Sequence, residues 1–316
     1  MERHYNDAMN PMYTREFHDG ITETFHYTNT IRAASSALAA DVARLISAGA
    51  NDAVLEAFYG VPGGHGQNLR VFAKMSAEDQ EAAAAENWLF SVVGRYEVWA
   101  DSLPVAKSSR GAQFPSSGSS SHATGVGFAE VFPVLTASPE MISTYYASVQ
   151  ADHRVLAGDR VDDALSLYRL FKECRNAAAH AGGVTDGPVS NWSTLARERA
   201  GDLFVDASGD VVPIPELDPG DQIRLSLRQV RAFVALTMRI AYTIDSIVTM
   251  SAVGLTTVVE RWRRVHGERP LFVSERVLRR GQWLRARLTA ASIAVPDDPA
   301  DALALLRGED LLRLVI

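Results

Sequence analysis

Residues 171–183 read "FKECRNAAAHAGG", and how this stretch is read decides the rest of the chain. At about 100° per residue, Leu167, Phe171, Cys174 and Ala178 fall on one narrow stripe, with Leu170, Ala177 and Ala181 beside it. That period predicts a helix with the stripe as its core face. Arg169, Lys172, Arg175, Asn176, Ala179 and His180 point roughly the other way. Asn176 and His180 stand four apart, a spacing that lets the amide hydrogen-bond the imidazole and fix its orientation. Alanines between Arg175 and His180 leave room for another backbone to come close. Gly182 is placed to cap the helix just past His180.

Working outward, the same period recurs. "NTIRAASSALAADVARLISAG" predicts a helix from Ile31, with Asn29 or Thr30 as cap and Gly49 as its end. "SAEDQEAAAAENWLFSVVGRYEVWADSLP" has Ser76 as N-cap, acids in its first turn and Pro104 after its end. The Ser/Gly-rich run from Lys107 to Gly127 lacks the apolar residues a core needs and predicts a mobile loop. Helices are expected again over "SPEMISTYYASVQADHRVL" and over the motif segment. "DLFVDASGDVVPI" predicts a short β-hairpin turning at Ser208, Gly209 and Asp210. "SLRQVRAFVALTMRIAYTIDSIVTMSAV" predicts a long closing helix.

Composition narrows the function. The 316 residues carry a formal charge of −7, so nucleic-acid binding has to come from a local patch. A single cysteine, Cys174, rules out an intramolecular disulfide and a cysteine-based zinc site. Neither a signal-peptide core nor an apolar run long enough for a bilayer is present, which predicts a cytoplasmic protein without a membrane partner. The histidines show no metal-ligand spacing, and no metal or cofactor is expected. "GVPGGHG", from Gly60 to Gly66, lacks the preceding strand and the following Lys-Ser/Thr of a phosphate loop and reads as a turn.

Arg175-Asn176-x-x-x-His180, late in a helix of an all-α bundle with another long helix following, resembles the Arg-x(4–6)-His signature of HEPN-domain ribonucleases. The resemblance implies a HEPN-like helical bundle, here with a hairpin insertion and an Arg-rich C-terminal extension. It further implies a metal-independent RNA endonuclease that dimerises by pairing these helices. Arg175, Asn176 and His180 become the catalytic set, Arg169 and Lys172 the RNA-binding cations. An acid on an earlier helix is common in such bundles, which points to Glu97 as support for Arg175 or His180; the alternative is a surface carboxylate paired with Arg95 or another neighbour. Toxins and antiphage effectors belong to this family, so an antitoxin or trigger protein is an expected partner. So do members without nuclease activity, and the alternative is a binding or dimerisation module sensing a nucleotide or a protein.

The chemistry agrees with the resemblance. Metal-free RNA cleavage needs a proton-transfer group that works near neutral pH, which imidazole supplies. It also needs a clamp on non-bridging phosphate oxygens, which the guanidinium fork supplies.

Three segments are expected: an N-terminal arm over 1–29, the helical domain over 30–255, and a C-terminal subdomain over 256–316. Between Glu260 and Arg287 stand nine arginines against three glutamates, interleaved with Trp262, Phe272 and Trp283. These fit either RNA contact by phosphate pairing and base stacking, or amphipathic helices with a solvated arginine face.

Overall fold

Four helices bury one continuous core because their apolar stripes meet. The computed structural model describes residues 14–60, 66–102, 156–157, 160–249, 252–274, 276–291, 293 and 299–315. The expected loop from Lys107 to Gly127, the expected helix over 138–156 (its last residue excepted) and most of the Gly60–Gly66 turn lie outside them.

The long helices are α1 (Arg15–Ser47), α4 (Ala77–Ser102), α5 (Val161–His180) and α7 (Leu227–Thr249). Phe17 of α1 packs on Trp99 and Tyr96, and Phe25 packs on Trp88, so α1 runs antiparallel to α4. Tyr96 meets Tyr168 with ring centroids 4.1 Å apart. Phe171 stacks on Phe233 at 4.5 Å, joining α5 to α7. Thr14, at the start of α1, donates to Asp245 near the end of α7, and Arg231 donates to Asn29. The backbone N–H of Leu227 donates to Glu81, so α7 and α4 begin at the same end. Helices α1 and α5 therefore run one way, and α4 and α7 the other.

Shorter elements dress this bundle. Helices α2 (Asp52–Tyr59) and α3 (Gly66–Lys74) pack near the far half of α1. Helix α6 (Gly187–Ala200) folds back along α5, capped by the Asp186 carboxylate, which accepts from the Val189 N–H, and started by Pro188. Ser76 caps α4 as expected, its hydroxyl accepting from the Asp79 N–H.

A second buried cluster lies in the C-terminal segment, built from Val258, Trp262, Leu284, Leu288, Leu306 and Leu312 among others. Its elements are α8 (Ala252–His266), β1 (Leu271–Ser274), α9 (Val277–Ala290), α10 (Pro299–Gly308) and β2 (Leu312–Val315). Strands β1 and β2 pair in parallel, Leu271 opposite Leu312.

Three expectations change. The first helix does not begin at Ile31: α1 starts at Arg15 and buries Phe17 and Ile21. These apolar residues stand four apart in an otherwise polar run, which hides the stripe. The hairpin after α6 reduces to a single antiparallel bridge, Val205 with Val211, closed by Gly209 at φ 90° and by the Asp206 carboxylate. The C-terminal region adds a parallel strand pair that no local pattern announced.

No helix among the described residues is long and apolar enough to cross a membrane.

Candidate active site

Helix α5 sits among α4, α6 and α7, so its polar face meets protein over most of its length. Arg169 and Lys172 are each only 8% exposed, not turned to solvent as the helical stripe predicts. A wheel with one core face assumes one neighbour, and α5 has three. Burial of these cations is compensated by carboxylates. Lys172 Nζ lies 2.7 Å from Glu97 Oε1, and Arg175 Nη2 lies 2.8 Å from Glu97 Oε2. Each carboxylate oxygen of Glu97 thus holds one cation of α5 against α4. Arg169 Nη2 pairs with Glu173 Oε1 at 3.0 Å, one turn along its own helix, and its guanidinium stands 5.9 Å from the Trp192 ring of α6.

Asn176 takes a different partner from the one its spacing predicts. Its Nδ2 donates to Glu173 Oε2 at 3.1 Å, back toward the start of the helix. Competition decides this: a carboxylate already fixed by Arg169 is a stronger acceptor than an imidazole nitrogen. His180 and Ala179 are exposed, and the imidazole makes no hydrogen bond to a described residue. The structure therefore brings Glu97, Lys172 and Arg175 together, ties Asn176 to Arg169 through Glu173, and leaves His180 open at the helix end.

Two neighbours escaped the sequence reading. Glu173 was legible in principle, standing four after Arg169 and three before Asn176. Tyr168, one stripe with Arg175, carries a buried hydroxyl without a hydrogen-bond partner among the described residues, as does Arg175 Nε. Burial, then the charges of Tyr96 and Glu97, push the Tyr168 phenol well above its ordinary range. It stays neutral and acts as a fixed dipole beside the ion pairs. Cys174, on the core stripe, is pushed up to about 12 by burial and by Glu173, which leaves the thiol protonated and inert.

The end of α5 is fastened from outside. Gly182 and Gly183 both take positive φ, 63° and 76°, and Gly183 N–H donates to Ala177 O. The Ile223 N–H donates to Gly183 O at 2.8 Å, and Gln222 Nε2 donates to Gly182 O. These bonds anchor the turn after His180 to the segment leading into α7. An open groove of about 480 Å³ is lined by Leu89, Cys174, Ala178, Asp79 and Arg224 among others, and His180 is not part of its lining. Comparisons with models of known families, with curated proteins and with solved structures find no match, leaving this geometry as the ground for a functional reading.

Proposed function

We propose that the chain is a metal-independent endoribonuclease of the HEPN type, acting on cellular RNA as a homodimer paired through α5. The observation that carries the reading is Arg175 held by Glu97 at 2.8 Å, one turn before an exposed Ala179 and His180. An arginine so fixed keeps its other N–H groups aimed along one direction, and orientation is what a transition-state clamp requires. Imidazole removes the proton from a ribose 2′-oxygen, which attacks the adjacent phosphorus. The P–O2′ bond forms as the P–O5′ bond breaks, and the departing 5′-oxygen takes a proton from the second His180 of the dimer. Arg175 stabilises the charge on the non-bridging oxygens. Arg169 and Lys172, buried and paired, contribute positive field and hold the helix. They do not reach for phosphates themselves.

Cleavage of RNA by the purified protein in a chelating buffer tests this. Products are expected to carry 2′,3′-cyclic phosphate and 5′-hydroxyl ends, and His180→Ala and Arg175→Ala are each expected to abolish them. Sedimentation is expected to show twice the 34.4 kDa chain mass, and Ala179→Glu to lower it toward one. Products with 5′-phosphate ends, or full activity in His180→Ala, defeat the mechanism. One observation favours a non-catalytic binding module of the same fold: Asn176 engages Glu173 instead of His180. A dimeric protein that binds RNA and leaves it uncut would establish that second reading.

A further inference from the structure

Residues 252–316 hold eleven arginines, no lysine and eight carboxylates, a charge of +3 on a chain of −7. The excess gathers on α9. Arg276 at its N-cap, then Arg280, Trp283 and Arg287, stand four, seven and eleven residues along. At about 100° per residue these four share a stripe about 60° wide. Leu284 and Leu288 occupy the neighbouring flank and are buried. Arg276 and Arg287 are exposed, Arg280 and Trp283 half-buried.

The stripe faces the edge of α8. The Trp283 ring lies 6.5 Å from that of Trp262, and the Arg287 guanidinium lies over Trp283 at 5.3 Å. His266 Nε2 is 3.0 Å from Arg287 O. Trp262 itself is fully buried, so of the two tryptophans only Trp283 presents ring surface outward. Arg276 and Arg280 have no carboxylate partner among the described residues, in contrast to Arg169, Arg175, Arg228 and Arg313, which all do. Like charges held along one face repel each other unless an anion lies across them.

We propose that this stripe binds single-stranded RNA, with Arg276, Arg280 and Arg287 on phosphates and Trp283 against a base. Arginine in place of lysine throughout gives planar forks matched to phosphate oxygens. A half-buried indole between guanidinium groups is the surface on which a base stacks, and an acidic peptide has no use for it. The inference deepens the ribonuclease reading and rests on it for the choice of RNA.

Binding is measured on the full chain carrying His180→Ala, so that the probe survives. A fluorescently labelled, unstructured 20-nucleotide RNA is followed by anisotropy across a salt series. Arg276→Gln with Arg280→Gln is expected to weaken binding about tenfold or more. It should also flatten the slope of log affinity against log salt by about 1.4, roughly 0.7 for each lost phosphate contact. Trp283→Leu is expected to weaken binding at least about fivefold with the slope unchanged. Arg264→Gln with Arg307→Gln removes the same charge from α8 and α10 and none from α9, Arg264 lying about 200° around α8 from Trp262, and is expected to leave binding as it was. Equal loss in that control pair, displacement of the RNA by polyglutamate at equal phosphate and carboxylate concentration, or no RNA binding at all overturns the proposal. Stripe-dependent binding by a protein whose wild type cuts no RNA upholds the stripe and fells the ribonuclease reading alone.

Discussion

Glu97 is the residue on which the candidate site turns, because its one carboxylate is the counter-charge shared by two cations. Lys172 and Arg175 have side chains only 10% and 21% exposed, and Glu97 holds both from the neighbouring helix. A half-buried cation left without its counter-charge costs more than an ion pair formed in water gains. Glu97→Gln preserves shape and removes the charge, so it is expected to lower stability by about 2–3 kcal/mol. This is less than for a fully buried pair, since Glu97 is 26% exposed. Adding Lys172→Met removes one of the two cations that Glu97 holds, and the double variant is expected to be more stable than Glu97→Gln alone. Urea unfolding midpoints at unchanged slope measure both. A double variant no more stable than the single one means that Glu97 is not acting as a counter-charge. Resemblance alone pointed to Glu97, and the structure joins it to Arg175 as expected, yet to Lys172 and not His180. Lys172 was misplaced because a helical stripe gives direction but says nothing of which neighbouring helix stands there, and Asn176 because Glu173 on its own helix outcompetes His180 for its amide.

At the scale of the element, α5 was legible because its apolar period is unbroken from Leu167 to Ala178. Its ending was legible too, through the glycine pair. What holds that ending came from forty residues away, where Gln222 and Ile223 bond the two glycines. Such pairing has no local signature. Gly183 takes φ 76°, and a Cβ placed there would sit 2.6 Å from Gln222 Nε2. Left-handed backbone with a side chain costs about 1–2 kcal/mol. The Gln222 side chain, being flexible, would swing away and give up its bond to Gly182. Gly183→Ala is therefore expected to lower stability by about that amount and to slow RNA cleavage, since the turn next to His180 loses its anchor. Gly94→Ala provides the contrast. Gly94 lies inside α4 with open space where its Cβ would go, and alanine there is expected to raise stability by about 0.5–1 kcal/mol. Thermal unfolding of the two variants, shifted in opposite directions, checks the pair. If Gly183→Ala is as stable as wild type, the fastening at the end of α5 contributes nothing.

For the whole molecule, helical periodicity gave the bundle, while the β1–β2 pairing stayed hidden because its strands stand 41 residues apart and each is four long. The tryptophan at 262 was legible as aromatic but not as core, since its arginine neighbours mask the stripe that buries it. Burial has a consequence that pH exposes. Tyr96 and Tyr168 are buried between α4 and α5, and burial holds both phenols well above their ordinary value of 10. Cys174, on the same helix, is pushed up to about 12 from 9. In each case the folded pKa lies above the unfolded one, so the folded chain keeps protons that the unfolded chain releases. Their contribution to stability is intact below about pH 8.5 and declines as pH rises through the folded values. Once pH passes about 10.5, each such group costs about 1.4 kcal/mol per pH unit, or about 4 for the three together. A domain of ordinary stability, about 5–15 kcal/mol, should therefore unfold steeply in strong alkali. Phenolate absorbance and far-ultraviolet circular dichroism, followed together, test this. Tyr96 and Tyr168 are expected to ionise only as the helix signal collapses. The Cys174 thiol should stay unreactive to a thiol reagent until that same transition. If every phenol titrates early in a chain that keeps its helices, water reaches the junction of α4 and α5, and the packing that fixes Arg175 against Glu97 is looser than these contacts require.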